Sequence, residues 1–216
     1  MPTAREALLD AAVSALVTRP WGEVRMGEVA AAAGVSRQTL YHAFGSKHGL
    51  GRALIRRAAD GYLAGVEEAL GTHAVTGRGP VELALWTVRA ARGDAIVKAL
   101  LTGHWDDDLP RPEASHPARA AAGAETGARS GAGTAEFRIP LPTPAELLTL
   151  ARDRAVAVLR NGRTSRGAAA DLESVCEIAL RIGLSYAVVP PVAAPSPVGS
   201  DAVRLVREAL ARLPAP

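Results

Sequence analysis

The side chains with the clearest chemical capacity in this chain lie close together, within residues 34–50. Arg37 and Gln38 are of the types that form paired hydrogen bonds with the major-groove edges of guanine and adenine. The hydroxyl, imidazole and ammonium groups around them suit phosphate oxygens, which fix the register of a bound protein without reading sequence. The residues that carry these groups are Ser36, Thr39, Tyr41, His42 and Lys47. The segment therefore predicts a surface that binds double-stranded DNA.

Catalytic chemistry has no comparable support in the sequence. We find no nucleophile-elbow pattern, no phosphate-cradling loop that follows a strand, and no pair of histidines at metal-binding spacing. The acidic run after His104 and Trp105 offers adjacent ligands that point in different directions, so a solvated helix end is favoured over a metal site. The single cysteine, Cys176, excludes an internal disulfide and a cysteine-based metal site. We therefore expect neither enzymatic activity nor a cofactor or metal.

A helix-turn-helix would position the polar side chains. Small residues predict a short helix over about 27–33, and Gly34 suits the left-handed turn after it. Ser36 can cap the next helix, which runs to about Phe44 and turns Leu40 toward the core. In such a unit the second helix lies in the major groove and presents its outer face to the bases.

The same segment resembles the TetR family of bacterial regulators. The family pattern around the turn is roughly Ala-Gly-Val-Ser, two variable residues, Thr-Leu-Tyr, one variable residue, His-Phe, two variable residues and Lys. The matching positions in this chain are Ala33, Gly34, Val35, Ser36, Thr39, Leu40, Tyr41, Phe44 and Lys47. The resemblance covers residues 3–57, and it implies phosphate contacts by Thr39, Tyr41 and Lys47 and base contacts by Arg37 and Gln38.

Two departures from the family pattern affect the expected contacts. Ala43 stands where the family has a histidine that contacts phosphate, and whether the preceding His42 replaces it is left open. Met26 and Gly27 stand where a serine or threonine usually caps the second helix. We therefore expect that helix to begin without a side-chain cap.

The charge distribution agrees with a DNA-binding N-terminal part. Residues 1–57 carry eight Arg or Lys and four Asp or Glu, a net charge of +4, whereas the remaining seventeen basic and eighteen acidic residues give −1. A surface that binds a polyanion needs its positive charge concentrated in this way.

The composition favours an all-α fold, because Ala and Leu are abundant and only eight of the 216 residues are aromatic. We expect a helix-turn-helix domain over residues 1–48 and a helical regulatory and dimerisation domain over 49–216. A fourth helix over about 46–70 would connect them. Residues 110–138, rich in Ala, Gly and Pro, predict a mobile loop. Further helices are expected over about 80–104, 144–159, 167–188 and 200–213.

The family resemblance extends to regulation. It implies a homodimer, with the last two helices of each subunit forming a four-helix interface, and a repressor that a small-molecule effector releases from a palindromic operator. Candidate residues for the effector site are Tyr62, Trp86, Leu101, His104 and Trp105. The N-terminus has no signal-peptide pattern and no apolar run reaches about 18 residues, so we expect a soluble, cytoplasmic protein without a membrane partner.

Two other kinds of protein remain open. An architectural or non-specific nucleic-acid binder would need more positive charge than this N-terminal part holds, and Arg37 and Gln38 argue against it. A helical ligand-binding or enzymatic protein with a vestigial helix-turn-helix is the other alternative, and the departures at Ala43 and Met26 favour it slightly.

Overall fold

The computed structural model of the chain describes residues 3–71, 78–112, 140–160 and 168–189, together with Glu208. Within these residues the regular structure consists of eight α-helices and a 3-10 helix, Trp21–Glu23, and contains no strand. The α-helices are α1 (Ala4–Thr18), α2 (Met26–Ala32), α3 (Arg37–Phe44), α4 (Lys47–Gly71), α5 (Gly79–Gly93), α6 (Ala95–Thr102), α7 (Pro144–Arg160) and α8 (Ala168–Val188). The predicted all-α fold is confirmed. None of the described helices has the length and apolar character needed to cross a membrane.

The chain divides into two compact units. The first unit comprises Met1–Arg57 and Trp105–Leu141, and the second comprises Ala58–His104 and Pro142–Pro216. Helix α4 contributes its first eleven residues to the first unit and the rest to the second. The chain therefore passes from the first unit to the second, returns at residue 105, and leaves again at residue 142.

Local capping signals in the sequence fix two helix starts. Thr3 and Glu6 form a complete capping box at α1, in which each side chain bonds the backbone N–H of the other. The same reciprocal arrangement joins Thr143 and Glu146 at α7, with Pro144 as the first helical residue. Both starts rest on hydrogen bonds within one turn, which satisfy N–H groups that the helix itself leaves unpaired. These starts follow from neighbouring residues alone.

One predicted helix is wrong in its extent. The single helix expected over 80–104 is two helices, α5 and α6, separated at Asp94. The backbone of Asp94 is extended, and its carboxylate accepts hydrogen bonds from the N–H groups of Ile96 and Val97. Asp94 thus ends α5 and caps α6, because a short acidic side chain bonds the first N–H groups of a helix better than it continues one. Gly103, with φ of 72°, ends α6 in the left-handed conformation.

Two further predictions fall mainly on residues that lie outside the described ones. Of the loop predicted over 110–138, only residues 110–112 are described. Of the helix predicted over 200–213, only Glu208 is described. The expected loop and the expected last helix therefore remain predictions.

Helices α5 and α8 pack closely against each other in the second unit. A side-chain carbon placed on Gly183 of α8 would lie 2.7 Å from the carbonyl oxygen of Ala84 and 3.0 Å from Cβ of Thr87, both on α5. Such distances are too short for a real methyl group, so glycine is needed for space. The backbones of the two helices can approach here only because Gly183 carries no side chain.

A buried polar pair lies beside this contact. The hydroxyl of Thr87, which is fully buried, donates to the carbonyl of Leu83 at 2.9 Å and lies 3.1 Å from the hydroxyl of Tyr62. Since the single hydroxyl proton of Thr87 is used on Leu83, Tyr62 is the donor to Thr87. Burial raises the pKa of Tyr62 to about 12. The phenol is therefore neutral in the folded protein at physiological pH.

Gly183→Ala is expected to destabilise the second unit, because the added carbon would meet a backbone oxygen that cannot turn aside. Overpacking of this kind costs about 1–3 kcal/mol. Gly61→Ala is the matched control, since Gly61 lies in α4 with no atom within 4 Å of the added carbon. That control should gain up to about 1 kcal/mol from helix propensity. Urea denaturation at one protein concentration measures both variants, and equal midpoints would contradict the packing described here.

Tyr62 is expected to make stability fall at alkaline pH. The folded state keeps its phenol proton to a pKa of about 12, whereas an unfolded tyrosine loses it near pH 10. The stabilisation that the protonated phenol provides is thus complete below about pH 10. It is lost as the pH rises toward the pKa of the folded state, and the free energy of unfolding falls by roughly 2–3 kcal/mol at most. Burial also raises the pKa of the Cys176 thiol to about 12. Its effect on the pH dependence of stability is the same in wild type and in Tyr62→Phe, so it does not affect the comparison. Denaturation of both proteins between about pH 9 and about pH 11 tests the difference, and parallel pH profiles would refute it.

Candidate nucleic-acid interface

The turn between α2 and α3 is built from a few backbone bonds. Gly34 takes φ of 69°, which a residue with a side chain rarely adopts, and the N–H of Val35 bonds the carbonyl of Ala30 at 3.0 Å. These bonds close α2 and redirect the chain within four residues. Gly34 therefore performs the role that the sequence predicts for it.

Helix α3 is fixed at both ends. The Ser36 hydroxyl accepts a hydrogen bond from the N–H of Thr39 at 3.1 Å, which confirms the predicted cap. The hydroxyls of Ser36 and Thr39 also lie 2.9 Å apart. At the other end Gly45, with φ of 70°, donates its N–H to the carbonyl of Tyr41. The helix is thus eight residues long, and its rotation is set by which side chains it buries.

Helix α3 buries one face and exposes the other. Leu40 and Phe44, four residues apart, are buried, and they anchor the helix in the core of the first unit. All five residues predicted for DNA contact within α3 are exposed, as is the cap residue Ser36 before it. These exposed residues of α3 are Arg37, Gln38, Thr39, Tyr41 and His42. Arg37 and Tyr41 are spaced four residues apart, so they are neighbours on the helix surface, and the same holds for Gln38 and His42.

The seventh predicted contact, Lys47, lies at the first position of α4 and is held by the first unit itself. Its ammonium donates a hydrogen bond to the carbonyl of Gly22 at 2.9 Å and lies 5.2 Å from the ring centre of Trp21. Partial burial lowers the pKa of Lys47. A lysine in the first turn of a helix is unfavourable to the helix dipole. The carbonyl and the aromatic face offset this, so the position of Lys47 has a local explanation besides a bound phosphate.

Trp21 is in turn fixed by the segment that follows α6, residues 105–112, which we call the return segment. The N–H of Trp21 donates to the carbonyl of Asp108 at 2.8 Å. A side-chain carbon on Gly51 of α4 would lie 3.0 Å from Cβ of the buried Pro110 and 3.1 Å from the Trp21 ring. Trp21 and the return segment are therefore packed against the first turns of α4. This role of Trp21 is not predictable from the sequence, because a lone tryptophan after a helix end gives no signal for it.

Ion pairs reduce the number of free cations in the first unit. Arg19 pairs with Glu28 on α2, and Arg57 pairs with Asp10 on α1. The side chain of Arg37, by contrast, has neither an acidic partner nor a hydrogen bond within the described ranges. Its guanidinium rests against α2, where a side-chain carbon on Gly27 would lie 2.7 Å from its Nε.

The departures from the family pattern have visible consequences. Helix α2 begins after Arg25 and has no side-chain cap, as expected. Ala43 is partly buried, and its carbonyl accepts a hydrogen bond from Arg5, whose guanidinium also lies 4.8 Å from the ring centre of Phe44. His42 is exposed next to it, in the last turn of α3. Whether His42 contacts phosphate in place of the missing histidine stays a prediction.

The residues predicted for the effector site do not all come from one unit. Trp86 donates its indole N–H to the carbonyl of Tyr62 at 3.1 Å, so these two are in direct contact. Leu101 is buried in α6, and His104 is exposed after the end of that helix. Trp105 belongs to the first unit, whereas the other four belong to the second. Among the described residues, no group of three His, Cys, Asp or Glu side chains is arranged to hold a metal ion.

Comparisons with known proteins agree with this geometry. The family model described as bacterial regulatory proteins of the tetR family matches residues 8–54. The HTH-type transcriptional regulator AlkX of Mycobacterium tuberculosis (strain ATCC 25618 / H37Rv) is 42% identical over 66 residues, which are 31% of this chain and 31% of that protein. The similarity thus spans about a third of the relative's length.

A solved structure shares the fold over nearly the whole chain. It is the TetR family repressor AlkX from Dietzia sp. strain DQ12-45-1b, implicated in biodegradation of n-alkanes, with a TM-score of 0.50 and 19% identity. The match covers 97% of this chain and 94% of that one. At this identity the likeness concerns the fold alone. The family match over residues 8–54 therefore identifies a helix-turn-helix of the tetR type in the N-terminal part of this chain.

Proposed function

We propose that this protein is a sequence-specific DNA-binding transcriptional regulator. The observation that carries the proposal is the polar face of α3, where Arg37 and Gln38 are exposed while Leu40 and Phe44 anchor the helix. An anchored helix with free guanidinium and amide groups suits guanine and adenine edges in the major groove. Residues 1–48 form the DNA-binding domain in this proposal, and residues 49–216 form the regulatory and dimerisation domain.

Phosphate contacts are assigned around this face. Tyr41 is 49% exposed, so its hydroxyl is accessible to a DNA backbone. The Lys47 ammonium has three donors, and the bond to Gly22 uses one of them. Ser36, Thr39 and His42 are exposed beside Tyr41 and complete the set. These contacts would orient the protein on the duplex, whereas Arg37 and Gln38 would read it.

The regulator acts as a homodimer in this proposal, and the outer side of α8 supports it. Ile178 and Ile182 of α8, and Val189 directly after it, lie at helical spacing, and Ile178 is 37% and Val189 60% exposed. An apolar stripe of this kind is typical of a helix that packs against another one. A dimer would hold its two copies of α3 about 34–36 Å apart, which matches a palindromic operator of double-stranded DNA.

We further propose that the protein is a repressor that a small molecule releases from its operator. The support is the match of residues 8–54 to the tetR family of regulators, in which such release is the usual response. An effector can change DNA affinity only through different affinities for two states of the protein. The candidate site includes Tyr62 and Trp86, which are in contact in the second unit. Leu101, His104 and Trp105 remain candidates for the same site.

Selection of bound duplexes from random DNA, at about 0.15 M salt, tests the function directly. We expect a palindrome, and we expect the double variant Tyr41→Ala, Lys47→Ala to lose most of its affinity for it. Loss of the Lys47 contact should reduce the steepness of log affinity against log salt by about 0.9, because a cation that neutralises a phosphate releases a counterion. Loss of the uncharged Tyr41 hydroxyl should weaken binding without changing that steepness. The matched control is Lys98→Ala, which removes an exposed lysine from α6 in the second unit and should bind normally.

The opposite result has a clear meaning. Recovery of no motif, with binding that vanishes at this salt, would favour the alternative of a helical ligand-binding or enzymatic protein with a vestigial helix-turn-helix. Equal affinity of the double variant and Lys98→Ala for a recovered palindrome would contradict the assigned phosphate contacts. A recovered palindrome also supplies the probe with which small molecules are screened for release.

Ile178→Glu is expected to dissociate the dimer, because it places a charge within the apolar stripe of α8. The matched control is Leu150→Glu on α7, where the replaced leucine is 44% exposed, close to the exposure of Ile178. Sedimentation equilibrium measures the mass of each protein. A dimeric Ile178→Glu variant, or a monomeric wild type, would disprove the proposed interface.

A further inference from the structure

We infer that Gly27, a residue without a side chain, determines the DNA sequence preference of this protein by fixing where the guanidinium of Arg37 lies. The inference deepens the proposed function and rests on it, since it concerns how one base contact is made. Arg37 is the first residue of α3, and Gly27 is the second residue of α2. The two helices of the helix-turn-helix therefore meet at this pair.

The contact between the two residues is unusually close. A side-chain carbon on Gly27 would lie 2.7 Å from both Nε and Nη2 of Arg37 and 2.9 Å from Cζ. Three guanidinium atoms at nearly equal distances mean that the planar group faces the backbone of α2 at Gly27. Any side chain at residue 27 would occupy the space in which this group lies.

Glycine is needed here for space and not for backbone conformation. The described glycines with positive φ are Gly34, Gly45 and Gly103, and Gly27 is not among them. Residue 27 lies in an ordinary helical turn that alanine would tolerate, and alanine favours a helix more than glycine does. Glycine at residue 27 therefore makes the helix less stable than alanine would. The close approach of Arg37 explains why glycine is nevertheless present.

Arg37 is positioned by shape and not by an ion pair. In the part of the chain that the structure describes, its side chain has no acidic partner and no hydrogen bond, whereas Arg19 and Arg57 are each paired with an acid. All five N–H donors of its guanidinium thus remain available. A guanidinium held in one place with its donors free is suited to bidentate bonding to O6 and N7 of guanine.

This arrangement separates specificity from stability. The guanidinium is the far end of a flexible side chain, so a methyl group on residue 27 would displace it without disturbing the core. Gly27→Ala should therefore fold normally, melt at the same temperature or higher, and present Arg37 differently. A good bidentate contact discriminates between bases by about 10- to 100-fold, and this discrimination is what the variant should lose.

A different role for Gly27 predicts another result. If glycine merely lets α2 approach the DNA backbone closely, alanine would weaken binding to every sequence alike and would do so with or without Arg37. A double-mutant cycle distinguishes the two roles, because residues that act through one another are not additive.

The experiment compares wild type, Gly27→Ala, Arg37→Ala and the double variant on the duplex that wild type selects. In a panel of competitors, each position of one half-site is replaced in turn. Arg37→Ala is expected to remove the preference at one position of the half-site, by about 10- to 100-fold. Gly27→Ala is expected to weaken the preference at that same position, and the double variant should behave as Arg37→Ala alone. Gly61→Ala, a helical glycine with open space around it, is the control and should keep the wild-type profile.

The outcomes separate the inference from the proposed function. A wild type that selects no sequence overturns the proposed function and this inference with it. A wild type that selects a motif, with an unchanged profile for Gly27→Ala or a uniform loss that persists in the Arg37→Ala background, overturns the inference alone. The Nε–H resonance of Arg37 provides a readout without DNA. It should shift in Gly27→Ala and not in Gly61→Ala, and an unmoved resonance would disprove the contact.

Discussion

The burial of Leu40 and Phe44 is the constraint on which the candidate DNA surface depends. Helix α3 has only eight residues, too few to be stable without tertiary packing, and these two side chains supply its anchor. Because they lie four residues apart, they fix the rotation of the helix as well as its position. Arg37, Gln38 and Tyr41 are exposed as a direct consequence. The polar face therefore owes its orientation to the apolar one.

The two most informative cations of the first unit are positioned in different ways. Lys47 is held by a carbonyl and an aromatic ring, through Gly22 and Trp21. Arg37 is held by close contact with the backbone at Gly27. Neither arrangement uses an acid, so neither cation is neutralised within the described residues. This matters for a surface that binds a polyanion, since an internal ion pair would have to be broken before a phosphate or a base could compete for the same donors.

The return segment brings a later part of the sequence back into the first unit. Residues 105–112 come shortly after the end of α6, yet they pack against Trp21 and the first turns of α4. The polypeptide that leaves α6 thus contacts the residue that holds Lys47. In the second unit, close packing also depends on glycine, because Gly183 allows α8 to meet the backbone of α5 beside the buried pair of Tyr62 and Thr87. In both units, a glycine lets two elements come into close contact because it carries no side chain.

The sequence by itself determined the features that depend on neighbouring residues. The capping boxes at Thr3 and Thr143, the cap at Ser36 and the turn at Gly34 all follow from hydrogen bonds or backbone freedom within a few residues. The exposed face of α3 follows from the spacing of its apolar residues. The break at Asp94 was also encoded locally, but the apolar periodicity continues across it from α5 to α6, and this concealed the cap.

Only the tertiary structure decided the contacts between residues distant in sequence. In the sequence, Gly27 stands out only because it lies where a serine or threonine usually caps the helix. Its closeness to Arg37 depends on the angle at which α2 meets α3. The placement of Lys47 depends on Trp21, and that of Trp21 depends on Asp108, which lies 87 residues further along the chain. Neither apolar periodicity nor a helix cap predicts contacts between residues so far apart in the sequence. They arise when the whole core packs at once, because close packing leaves each side chain few places to lie.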